Sequence, residues 1–152
     1  EIYQEHCVQI QVNPQMGMTY EEGIRQLLRH EPDVIMIGEI RDELTAKMAI
    51  RCALTGHLVI SSIHAASASG TIARLYDLNI TRAELEDTLA GIANQRLFPL
   101  RNHARMISLY EIYDRYDIAE VLNGNRVMKC MEEEIEYAVQ KRWIEPQKNI
   151  HG

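Results

Sequence analysis

The sequence predicts an α/β fold with a mainly parallel sheet flanked by helices, and three observations predict it. Two apolar runs, in "PDVIMIG" (from Pro32) and "HLVISSI" (from His57), have the length and composition of central strands covered on both faces. The stretch between them has the length and small-residue packing of a helix, the spacing expected of a strand–helix–strand crossover. Hydrophobic content of 46% over 152 residues is enough to close one substantial core, and one compact domain is expected.

Each element follows from a local signal. "CVQIQV" (Cys7 to Val12) alternates apolar and polar residues, which predicts a strand with one face on the core. "NPQMG" then turns the chain, and Thr19 followed by Glu22 has the spacing of a capping box, with Ile24, Leu27 and Leu28 continuing an apolar stripe until Pro32. After "DVIMIG", Asp42 is placed to cap a second helix through Leu54, closed by Thr55-Gly56. Ser67 or Ser69 opens a third helix to about Leu78, and "TRAE" (from Thr81) is a second capping box opening a helix expected to reach about Leu97. "MISLYEIYD" (from Met106) predicts a strand, and two helices are expected near Ile118 to Leu122 and Cys130 to Trp143. The "EEEIE" run beginning at Glu132 is expected to be a solvated face of the last of these.

Composition excludes several classes. A formal charge of −6 supplies no cluster of Lys and Arg for phosphate backbones, so direct nucleic-acid binding is not expected. Cys7, Cys52 and Cys130 lie far apart with no CxxC pair, which argues for a reducing compartment and against a disulfide framework or a zinc ribbon. No apolar run approaches the ~20 residues that cross a bilayer, so membrane association is expected to go through a partner. Arg96, Arg101, His103 and Arg105 form a small basic patch, read first as a solvated loop and second as an anion or partner site.

In a parallel α/β sheet, ligands collect beyond the carboxyl ends of the strands. Glu39 and His64 both follow strand signals there, whereas His57 precedes its strand and belongs to the opposite rim. At roughly 3.3 Å per residue the two histidines stand on the order of 20 Å apart, too far to share a metal ion. An acid at the end of a hydrophobic strand is the Walker B arrangement, in which the carboxylate polarises a water or holds Mg²⁺ while a phosphate is cleaved. A purely structural role remains open for each residue taken singly. Glu39 can pair with Arg41 or cap the next helix, and His57 after Thr55-Gly56 can be a turn residue with a satisfied ring.

Taken together, the stretch from "MTYEEGIRQLL" to "SASGTIARL" resembles the type II/type IV secretion ATPases, hexameric motors that build or retract pili and pseudopili. The resemblance covers about Val8 to Leu97 and rests on "PDVIMIGEIRD" and "TGHLVISSIH", in the family's order and separation. Within the family the wording is most similar to the competence-pilus (DNA-uptake) branch of Gram-positive bacteria. The resemblance implies the C-terminal half of a RecA-type P-loop NTPase core over residues 1–103, followed by a C-terminal strand and helical part over 104–152. It implies that Glu39 acts on the attacking water and that His64 contacts the γ-phosphate, with His57 as the other histidine of the same box. It also implies that Gly38 stands where many P-loop enzymes keep a Mg²⁺-binding aspartate, and that Arg41 and Asp42 brace the loop.

ATP and Mg²⁺ are the implied cofactors, a membrane platform protein and further copies of the chain the implied partners, and the cytoplasmic face of the membrane the implied location. Zinc is not expected, because no tetracysteine insertion follows "QRL". The polar residues that often follow the family's second histidine are Ala65 and Ala66 here. No glycine is followed by lysine, so GxxxxGK[ST], the loop that cradles phosphates, does not occur in these residues. That loop is expected upstream, with an acidic box of which Glu1 is the last member, and the chain alone is expected to be inactive. Two other classes stay open: a non-catalytic interaction domain, and a metal-dependent hydrolase built from Glu39, Asp42 and His64.

Overall fold

The computed structural model describes residues 3–101, 104–125 and 131–144, and the side chains of 132–134 are not among those described. The chain divides into two compact units, residues 1–63 and 64–152, rather than the single domain its length suggests. Position 103, where the sequence reading divides the chain, lies in the segment between Pro99 and Met106 of the second unit. His103, Cys130 and Glu1, named above, lie outside the described residues.

In the first unit, Thr19 caps helix α1 (Tyr20–Leu28) by accepting from the Glu22 N–H at 3.2 Å. Glu22 turns its carboxylate to Arg25 and Gln26, so the helix has half of the expected box. The helix ends at Leu28, short of Pro32, because Arg29 closes its last turn and Glu31 takes a positive φ of 49°. Strand β1 (Val34–Ile37), helix α2 (Glu43–Leu54) and strand β2 (Leu58–Ser61) follow, with β1 and β2 parallel and Val34 opposite Leu58.

The expected strand at Cys7 to Val12 does not form. Its alternation is real, since Ile10 and Val12 are half-buried, but they pack over α1 at Gly23, where an added Cβ would meet Ile10 Cγ2 at 3.5 Å. None of the described strands offers it a backbone ladder, and without one an alternating segment stays coil.

The larger correction concerns the sheet. Composition predicts cover on both faces of each strand, yet only one face has it. Ile35 and Ile37 turn inward and join Ile24, Met48, Ala49 and Cys52 in one core. Val34, Met36, Leu58 and Ile60 turn outward, and Met36 is 74% exposed. The registers Val34–Leu58 and Met36–Ile60 make these four a contiguous exposed apolar patch.

The second unit opens with helix α3 (Ala68–Asp77), capped by Ser67, whose Oγ accepts from the Gly70 N–H at 3.1 Å. Helix α4 (Arg82–Thr88) carries the complete capping box of Thr81 and Glu84. It stops at Thr88 instead of running to Leu97, because Gly91–Pro99 is strand β3, paired antiparallel with β4 (Met106–Asp114). Leu85, Leu89 and Ile92 have helical spacing and disguise the boundary. The sheet of this unit is therefore an antiparallel hairpin, and among the described residues parallel pairing is confined to β1 and β2. Helices α5 (Arg115–Leu122) and α6 (Glu132–Gln140) complete it, with Phe98, Met131, Ile135, Ala138 and Ile144 in one cluster.

Candidate functional site

Parallel pairing places the carboxyl ends of β1 and β2 side by side, and side-chain and backbone hydrogen bonds lace them together. Ser61 Oγ donates to the Ile37 carbonyl at 2.8 Å, Ser62 Oγ to the Gly38 carbonyl at 2.7 Å, and the Ile40 N–H to the Ser62 carbonyl at 2.8 Å. Sequence reasoning passed over both serines. Their hydroxyls add side-chain bonds across the two strand ends, which fix the path by which Gly38 and Glu39 leave the strand.

Glu39 is the second residue beyond β1, and its side chain is 18% exposed. Its Oε2 accepts from Nε of Arg41 at 2.5 Å, and Arg41 Nη2 lies 2.5 Å from the same oxygen as an ion pair. The Arg41 side chain itself lies 76% in solvent. Its pKa is raised further above the ordinary arginine value, first by the hydrogen bond to Glu39 and then by that carboxylate's charge. The ion pair foreseen as Glu39's structural role is thus present. An ideal Cβ on Gly38 meets nothing within 4 Å, so room for a side chain exists where the acidic neighbour is missing.

Asp42 works as the N-cap of α2, with its Oδ1 accepting from the Thr45 N–H at 2.8 Å. That bond is the largest influence holding its carboxyl below the usual value, followed by the Thr45 side chain, with burial opposing. The folded value lies below the unfolded one of about 3.9, so the cap contributes in full above that pH and is lost as pH falls through the folded value. Asp42→Ala is expected to cost about 1 kcal/mol at neutral pH. Asp42→Asn should keep the cap and remove its share of the acid sensitivity, both read from urea unfolding between pH 7 and pH 3.

His57 sits at the other end of β2, as its position before the strand implies. Its Nδ1 lies 3.0 Å from the Cys52 carbonyl and 3.1 Å from Thr55 Oγ1, which makes it the ring-satisfied residue of the α2–β2 turn. His64 is the third residue beyond β2, is exposed, and opens the second unit. The structure therefore brings Gly38, Glu39, Arg41 and Asp42 into one loop, sets His57 at the opposite strand end, and assigns His64 to the other unit.

Among the described residues no group of three or more His, Cys, Asp and Glu is placed to hold a metal ion. Cys7 is exposed and Cys52 buried, both as free thiols, and burial raises the Cys52 pKa. No described helix is long and apolar enough to cross a membrane. In the basic patch, the Arg96 guanidinium lies 5.5 Å from the Phe98 ring centroid, a cation–π contact.

Known proteins bear on this arrangement. The type II/IV secretion system protein family matches residues 1–142. Competence protein ComGA of Bacillus subtilis is 39% identical over 140 residues, which are 88% of this chain and 39% of that protein. The type IV pilus assembly ATPase TfpB of Acinetobacter baylyi is 45% identical over 101 residues, 66% of this chain and 17% of its own length. The ATPase DotB of Yersinia pseudotuberculosis superimposes with a TM-score of 0.70 at 22% identity over 87% of this chain and 39% of its own, a likeness of fold. The chain spans less than half the length of each of these proteins. With nearly its whole length matched, the chain belongs to the type II/IV secretion system protein family.

Proposed function

We propose that this chain forms part of a cytoplasmic ATPase motor, a ring of six copies at the inner face of the membrane, that drives assembly of a pilus or pseudopilus for DNA uptake. ATP and Mg²⁺ are its cofactors, and a membrane platform protein receives its motion. Glu39 activates the attacking water and His64 contacts the γ-phosphate. The phosphate-cradling loop comes from outside these 152 residues, so the chain alone is inactive. Residues 1–103 act as the C-terminal half of a RecA-like core and 104–152 as an appended part.

The observation that carries this reading is Glu39 two residues beyond β1, where β1 and β2 end together, in a chain matched over residues 1–142 by a secretion family. A carboxylate there reaches a phosphate bound across the strand ends, the usual ligand position in a parallel sheet. In the resting arrangement Arg41 occupies Glu39 Oε2, so Arg41 must turn away before that oxygen can take a proton from water. Binding of a phosphate beside the loop gives the guanidinium a competing partner. The test is phosphate release by the chain joined to an upstream segment bearing a P-loop, with and without Glu39→Gln. Equal hydrolysis by the two would remove Glu39 from the chemistry.

A second reading, a non-catalytic interaction domain, is favoured by the bare face of Val34, Met36, Leu58 and Ile60. On this reading the 152-residue chain self-associates in light scattering at high concentration, and Met36→Glu shifts it towards the monomer. A monomer at all concentrations would count against the interaction domain.

A further inference from the structure

Glu111 lies on β4 with only 4% of its surface exposed. It is directly opposite Asn94 on β3, whose Nδ2 donates to Glu111 Oε2 at 2.9 Å, while Oε1 finds no hydrogen-bond partner among the described residues. A buried carboxylate left half-paired destabilises a fold, and an apolar residue would serve the hairpin better. The same Nδ2 makes a long bond of 3.5 Å to the carbonyl of Ala66, two residues beyond His64. Ala66 precedes Ser67, the cap of α3.

The chemistry at this junction is selective. A carboxylate and a peptide carbonyl are both acceptors, so the group between them must offer two donors from one end. The amide of asparagine does so, and the Glu111 charge decides which end of the amide faces inward. A carboxylate in place of the amide would repel Glu111, and a methyl group would reach neither partner.

We propose that Asn94 and Glu111 are positioning residues for His64: Glu111 orients the Asn94 amide, and Asn94 holds the Ala66 carbonyl and with it the backbone that carries His64. The functional meaning of this brace rests on His64 as the phosphate-contacting residue, but the brace itself is a property of the chain. Ser67 anchors the stretch along the chain and Asn94 anchors it sideways.

The test compares the 152-residue chain with Asn94→Asp and with the double variant Asn94→Asp/Glu111→Gln, which exchanges amide and carboxylate between the strands. The readouts are thermal unfolding, amide exchange at Ala65 to Ser67 and the ring resonances of His64 by NMR. Asn94→Asp should lower Tm and speed local exchange roughly fivefold, the effect of losing one hydrogen bond. In the double variant the amide introduced on β4 can donate to the carboxylate introduced on β3, so Tm should recover. That carboxylate has no donor for the Ala66 carbonyl. Local exchange should therefore stay fast and the His64 signals stay shifted.

Recovery of all three readouts in the double variant would reduce Asn94 and Glu111 to a hairpin-stabilising pair and overturn the proposal. If Asn94→Asp fails to fold, the double variant decides alone by whether its exchange and His64 signals match the parent chain. These readouts need no nucleotide, so failure of the ATPase reading through Glu39→Gln would leave them unaffected.

Discussion

Phosphate release by the chain joined to a P-loop segment is expected to fall about 10²–10⁴-fold in kcat on Glu39→Gln, the range set by removal of a general base. KM for ATP should change little, because the substitution removes a proton acceptor used only as water attacks. Glutamine has the size of glutamate, and its carbonyl oxygen can still accept from Arg41, so the loop between β1 and α2 should keep its path. That loop is also held by Ser62 on Gly38 and by the Asp42 cap, neither of which the substitution touches. Steady-state kinetics over ATP concentration separates the two parameters. A rise in KM at constant kcat would assign Glu39 to binding and leave the attacking water without a base.

The second large effect separates the two faces of β1. Ile35→Ala should destabilise the first unit by about 2–5 kcal/mol, since Ile35 is 2% exposed and its removal leaves a cavity among Ile24, Met48 and Cys52. Met36→Ala, one residue along and 74% exposed, should stay within about 0.5 kcal/mol. Urea unfolding of each variant of the 152-residue chain reads the difference. Covering the outer face raises the cost at Met36 towards that of a core position, so the same substitution in a longer parent chain measures whether other residues seat there. Equal costs at 35 and 36 in the 152-residue chain would contradict the one-sided burial.

Much of the local architecture was legible because its signals are local. Thr19, Asp42, Ser67 and Thr81 each accept a backbone N–H within three residues, and capping chemistry of that range can be read from spacing alone. The end of α1 was misplaced by a local cap at Arg29 and a positive φ at Glu31, but the two misassigned elements involved partners distant in sequence. "GIANQRLFP" became a strand because Met106–Asp114 supplies its ladder, and "CVQIQV" remained coil because no described strand supplies one.

The candidate site divides along the same line. Sequence alone determined that an acid follows a four-residue apolar strand at Glu39, that His57 and His64 bracket the next strand, and that no phosphate-cradling glycine loop lies within these 152 residues. Composition and spacing suffice for such statements because they concern neighbours along the chain. Only the tertiary structure decided that Arg41 occupies Glu39, that Ser61 and Ser62 lace the two strand ends, that one face of the parallel pair is bare, and that Asn94 reaches from a later hairpin to Ala66. Rotamer choice, strand register and burial of a face depend on which atoms arrive from elsewhere, and hydrophobicity reports how much surface wants cover without naming what provides it.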